Sequence, residues 1–226
     1  MNETLFILHL VVVSACTLFA FRKGKTALTA WICLQAVLAN LFVLKQVQLF
    51  GAYVTCSDVF AVGTIFGLNL LREYKGKEAA KQALMCCFFA MGFFMVMSQF
   101  HLWYAPSLYD TTQQAYETLL SPSPRLLLAS LFTFFIVQQL DLRLFHLLKE
   151  KLPQTAFTWR NAFCTILSQG LDTLLFSILG LAGLVEHLSH IIVVSFLIKM
   201  VVIALMSPLI HFSKRFIPKE ASDVAV

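Results

Sequence analysis

Residues 160–183 read RNAFCTILSQGLDTLLFSILGLAG, and residues 188–212 read LSHIIVVSFLIKMVVIALMSPLIHF. Each block is apolar and long enough to cross a hydrocarbon core, which takes about 20 helical residues. Only a short turn around Glu186 and His187 separates them, so the two blocks predict an antiparallel helical hairpin. Each carries one charge deep inside it, Asp172 in the first and Lys199 in the second, at nearly equal distances from the turn. On antiparallel neighbours these two side chains stand at matching height, where pairing offsets the cost of burying either charge. Gln169 lies three residues before Asp172 and Thr165 a further turn below, so one helix face reads as a polar wall.

The rest of the chain has the same character. Hydrophobic residues make up 59% of the 226 residues and the mean hydropathy is +0.79, too apolar for a soluble globule of this size. The expectation is an all-α fold, a polytopic transmembrane bundle in a single domain over 1–226. Seven spans are placed at about 4–21, 26–48, 52–71, 80–103, 125–146, 160–183 and 188–212 by hydropathy and length. The first is expected to remain as an uncleaved span and not a signal peptide, because no basic residue precedes it and Arg22, Lys23 and Lys25 follow it.

Charge placement sets the orientation. Of the seventeen Lys and Arg, fourteen fall in the loops 22–25, 72–81 and 143–160 and in the tail after 212. These are alternate connections, so the positive-inside rule predicts N-out and C-in. The net charge of +5 is thereby explained by topology, and nucleic acid is not an expected partner. The long connection 104–124 has three prolines, two acids and no basic residue, which predicts an outward loop; Trp103, Tyr104 and Tyr109 fit an aromatic belt there.

Polar residues at membrane depth carry the functional information, since each is costly unless paired or facing a wet cavity. Counted by helix rise from the inward ends, Asn40, Asp58, Asp172 and Lys199 all come out roughly 18 to 23 Å from the inner boundary. Asn40 reads equally as an interhelical hydrogen bond or a ligand contact. Gln138 and Asp141 share a face of the fifth span, and Asp141 with Arg143 reads as an interfacial pair. His187 and His190 beside Glu186 lack further ligands at suitable spacing, so no metal is expected. Cys16, Cys33, Cys56, Cys86, Cys87 and Cys164 show no CxxC spacing and read as small buried hydrophobes. The run CFFAMGFFM at 87–95 is lipid-facing or packing surface. No nucleotide, hydrolase or zinc-protease motif is present, and no cofactor is implied.

At several of these residues the chain resembles the queuosine precursor transporter family, a bacterial membrane family also described as Vut-type. The resemblance runs from about Ala39 to Pro208. It rests on Ala39-Asn40, on Asn69 to Gly76 against the family's D-x-x-x-E-x-Y-G, on Gln138 with Asp141, and on Arg160 followed by Ser168-Gln169-Gly170-Leu171-Asp172 and Phe176. Lys199 and Pro208 also fit. Asn69 stands where the family usually has Asp and Lys75 where it usually has Tyr; Glu73 and Gly76 keep their places. The resemblance implies a six-helix core with the first span added, in a bacterial inner membrane, importing a planar 7-deazapurine: preQ0, preQ1 or queuine.

From depth and face, Asn40, Gln169, Asp172, Lys199 and Gln138 are the expected substrate contacts. Asp58, Asp141, Arg160 and Glu73 are coupling or structural candidates. The partners are a purine-like small molecule, the bilayer, and either an ATPase module or a second copy of the chain. Two rival readings stand beside transport. One is the substrate-binding membrane subunit of an ATPase-driven importer, and the other a seven-helix photoreceptor with Lys199 as retinal Schiff base and Asp58 as counter-ion.

Overall fold

The computed structural model describes residues 1–55, 57–151 and 157–213. Side chains of Lys77, of most of 138–165 and of 202–213 lie outside the described residues. The helices are α1 (Asn2–Arg22), α2 (Lys25–Phe42), α3 (Asp58–Lys75), α4 (Lys77–Trp103), α5 (Gln113–Leu120), α6 (Ser123–Lys151), α7 (Phe157–Phe176) and α8 (Leu188–Ser213). A π-helical turn, Ser177–Leu181, extends α7. Two short strands, β1 (Gln46–Leu49) and β2 (Ala52–Thr55), sit between α2 and α3.

Among the described residues, four segments are long and apolar enough to cross a membrane: Asn2–Arg22, Lys25–Phe42, Glu78–Trp103 and Gln113–Val137. Shorter apolar stretches cover Ile166–Leu181 and Leu188–Val201. The protein is a helical membrane protein. Its outer surface agrees, for on α4 Phe89 and Phe93 are exposed while Cys87 and Met91 are buried. The Phe-rich run thus gives one face to lipid and the other to the bundle.

The α2–α3 contact is the tightest seam. Leu28, Ile32, Phe66, Leu70 and Leu71 are fully buried in one cluster, and Gly63 and Gly67 on α3 let α2 come close. A Cβ on Gly67 would lie 2.6 Å from Ile32 Cγ1, and one on Gly63 would run into Gln35. This is small-xxx-small packing, in which missing side chains bring helix backbones together. The added first helix is part of the same core. Thr17 on α1 accepts hydrogen bonds from Trp31 Nε1 at 2.9 Å and Gln35 Nε2 at 3.5 Å, both on α2.

The expected boundaries of the second and third spans are corrected. Residues 43–55, read as the end of one apolar block and the start of the next, are instead a non-helical excursion built on the β-hairpin. The strands pair antiparallel from Gln46↔Thr55 to Leu49↔Ala52, and Phe50 and Gly51 close the turn at φ 50° and 79°, the positive values a two-residue hairpin turn demands. Gln46-Val47-Gln48-Leu49 alternates with period two, which a hydropathy window averages away. The hairpin is held at one end by α1, where Asn2 Nδ2 donates to Gln48 O at 3.1 Å and Phe50 N–H donates to Glu3 Oε1 at 3.2 Å. At the other end it leans on α8, with Tyr53 stacked on His187 at 4.1 Å between ring centroids.

Three smaller expectations also change. The 104–124 connection contains α5, whose Leu120 carbonyl accepts from Gln99 of α4 at 3.3 Å. Before it, Asp110 takes the Thr112 N–H at 2.7 Å, and this bond holds its carboxyl below the usual range. The 72–81 stretch is not an open loop, since α3 passes to α4 through the single residue Gly76 at φ 86°, in the left-handed region open to glycine. The sixth span ends at Leu181 rather than 183, in the π-helical turn.

Arg125 of α6 secures that turn, donating to Leu179 O at 2.9 Å and Ala182 O at 2.7 Å. These carbonyls lie at the end of a helix, where intrahelical donors run out and a cation is favoured. Arg125→Ala should destabilise the protein by about 1 kcal/mol, the scale of a charge-assisted bond at an exposed position. Thermal unfolding in detergent checks this, and an unchanged midpoint would show that water replaces the guanidinium at no cost.

Candidate functional site

Five helices and the hairpin line a half-open cavity of about 190 Å³. It exceeds the roughly 150 Å³ of an engineered cavity that holds benzene, so it has room for a small bicyclic ring. Polar side chains enter it from every one of these elements, among apolar surface. α2 supplies Asn40, the hairpin and the start of α3 supply Thr55, Ser57 and Asp58, and α6 supplies Ser130 and Thr133. The α7–α8 hairpin supplies Asp172, Thr173, Ser177, Ser195 and Lys199, with Phe176 as an aromatic wall. Asn40, Asp58, Asp172 and Lys199, placed in one layer by helix rise, therefore meet around one space.

The ion pair expected from the α7–α8 hairpin is present. Lys199 Nζ lies 2.8 Å from Asp172 Oδ2 and also donates to Thr173 Oγ1 at 3.0 Å. Thr173 passes the chain of bonds on, donating to the Gln169 carbonyl at 2.9 Å. The partners are unequally buried, the lysine side chain being 11% and the aspartate 34% exposed. The ammonium is held inside the wall, and the carboxylate reaches the open space.

Asp58 is the first residue of α3 and only 6% exposed. Its Oδ2 accepts the Ser195 hydroxyl at 2.7 Å, which ties α3 to α8. Ser195 and Lys199 are four apart and share one face of α8, so the two carboxylates are carried about one helical turn apart. Thr55 and Ser57 exchange a hydrogen bond at 2.9 Å beside them. Non-helical backbone at this depth is tolerated because it is buried in protein and borders a polar cavity.

Asn40 makes a contact between helices and also borders the cavity. Its amide nitrogen donates to Ala36 O at 3.1 Å and reaches Met91 Sδ of α4 at 3.0 Å, while the residue lines the cavity. Gln169 does not line it; one turn away from Thr173, its Oε1 is buried without a partner among the described residues. Glu73 is exposed near the far end of α3, about 22 Å along the helix from Asp58 by helix rise, and is not brought to the site. Gln138, Asp141 and Arg160 fall on α6 and α7, and their side chains lie outside the described residues.

Sequence reasoning passed over Ser195, Thr173 and Thr133. A signal existed for the first two: Ser195 is one turn from Lys199 and Thr173 adjoins Asp172. Thr133, whose buried hydroxyl has no partner among the described residues, is an ordinary residue of an apolar helix until packing turns it inward.

Residues 55–213 match the family model described as "Putative vitamin uptake transporter". The chain belongs to the Vut-type transporter family. That stretch takes in the hairpin's last residue and every cavity residue except Ala39, Asn40 and Val43. A relative from Bacillus subtilis (strain 168), named "Probable queuosine precursor transporter", is 31% identical over 217 residues, covering 95% of this chain and 93% of that protein. The similarity thus extends through α1 and α2. No solved structure matches. Membership of this family makes the protein a membrane transporter, and it favours neither the photoreceptor nor the ATPase-subunit reading.

Proposed function

We propose that this protein carries a queuosine precursor, a 7-deazapurine base, across a bacterial inner membrane for tRNA modification. The reading is of seven spans with the N-terminus outside and the C-terminus inside, following the distribution of basic residues. The observation that carries it is the Asp172–Lys199 pair at the wall of a cavity of bicyclic size. The deazaguanine edge of these precursors presents N–H donors beside a carbonyl acceptor. A carboxylate receives the former and an ammonium donates to the latter, so the two charges match one edge of the ring. Phe176 offers a face for the ring itself. Transport follows if the helices rock about this site and expose it to each side in turn.

The test is uptake in cells that lack both precursor synthesis and their own carrier, read as queuosine in tRNA. Supplied with preQ0, preQ1 or queuine, cells expressing this protein should regain queuosine and cells without it should not. Absence of queuosine with all three bases, despite verified membrane expression, rejects the reading.

A further inference from the structure

The candidate bases differ in charge at carbon 7. The nitrile of preQ0 is neutral and only accepts hydrogen bonds, whereas the aminomethyl groups of preQ1 and queuine are protonated amines at neutral pH. The cavity wall is not indifferent to this difference. Two described carboxylates line it against one ammonium, and that ammonium is already matched, by Asp172 at 2.8 Å and Thr173 at 3.0 Å.

Asp58 is the carboxylate with no cation in contact among the described residues. It is 6% exposed and lines the cavity, yet among the described residues no Lys, Arg or His comes within ion-pair distance of it. From α8 it meets the Ser195 hydroxyl, with the Lys199 ammonium one turn further along acting on it at longer range; Thr55 of the hairpin and Ser57 before α3 line the wall beside it, and α2 contributes Asn40. Its position at the start of α3 favours a negative charge, because unpaired N–H groups converge there. A carboxylate kept from water with no cation in contact is costly, and an incoming ammonium lowers that cost with a charge-assisted hydrogen bond. A nitrile nitrogen would set one acceptor against another.

We infer that Asp58 is the seat for the protonated amine of the substrate, so that this transporter selects ammonium-bearing deazapurines over the neutral nitrile. The inference rests on the proposed function and assigns the specificity within it. With the ring edge on Asp172 and Lys199, the carbon-7 substituent extends along α8 toward Ser195 and Asp58.

The experiment uses the full-length protein reconstituted in liposomes, with labelled preQ1 displaced by unlabelled preQ1 or preQ0. The wild-type protein should prefer preQ1 by about tenfold or more, the scale of one hydrogen bond between charged groups. Asp58→Asn should bring the two bases within about twofold, and Asp58→Glu, which keeps the charge, should retain the preference. Equal or tighter binding of preQ0 by the wild-type protein overturns the inference while leaving the proposed function standing. A preference unchanged in Asp58→Asn also overturns it. Binding of neither base overturns both readings. Should the Asn variant not reach the membrane, the wild-type ratio decides.

Discussion

Asp172→Asn is expected to abolish uptake while the protein still reaches the membrane at reduced abundance. The two partners of the pair do not lose equally. Removing the aspartate leaves an ammonium whose side chain is 11% exposed, with Thr173 as its remaining described partner. Stranding one member of a buried pair costs about 3–5 kcal/mol. Lys199→Met leaves instead a carboxylate that is 34% exposed, able to draw water from the cavity, so its cost should fall toward about 1–2 kcal/mol, nearer the value for partly solvated pairs. The double variant Asp172→Asn/Lys199→Met removes both charges and should recover most of the stability, as replaced ion pairs commonly do. A purely structural pair predicts that transport returns with stability. A substrate site predicts that thermal stability recovers and uptake does not. Unfolding midpoints and uptake measured on the four proteins separate the two, and full uptake in Asp172→Asn would remove this residue from the site.

Gly63→Leu is expected to leave almost no folded protein, and Gly63→Ala to lose about 1–3 kcal/mol, the range for overpacking a filled core. A new Cβ would meet Gln35 and lie 2.5 Å from Val13 Cγ1. Gln35 is fully buried and its Oε1 has no partner among the described residues, so it has no free direction in which to withdraw. Alanine in place of glycine gains about 1 kcal/mol of helix propensity, less than the clash, and the net sign is therefore destabilising. Shortening the neighbour should recover part of the loss: Gln35→Ala in the Gly63→Ala background removes the closest clash and the unpartnered oxygen, and leaves the contact with Val13 Cγ1. Midpoints of thermal unfolding for the three variants test the seam, and normal abundance of Gly63→Leu would show that α2 and α3 do not meet there.

Some of this was legible from residues alone. Apolar blocks of membrane length can pair their backbones only internally, so their composition already demanded helices. The short turn at Glu186 forced α7 and α8 side by side, and equal spacing from it was enough to pair Asp172 with Lys199. Helix rise placed Asn40 and Asp58 at the same level, because height along a helix depends on residue count alone.

Direction around a helix, and everything that depends on a third element, came only with the fold. Gln169 and Asp172 read as one polar face, yet packing turns Asp172 to the cavity and leaves Gln169 outside it. Apolar content could not distinguish helix from hairpin over 43–55, since both bury apolar side chains. The hairpin forms where Tyr53 has His187 to stack on and Phe50 has Glu3 to bond. Gly63 and Gly67 are two small residues in an apolar run until Gln35 and Ile32 arrive from α2. Composition, spacing and charge count thus determined the class of the protein, its helical hairpin and the level of its polar groups, because those properties are carried along one chain direction. The shaping of a cavity, and the burial of the Asp58 carboxylate at its wall, were decided by tertiary structure, because both depend on which faces of separate helices are brought together.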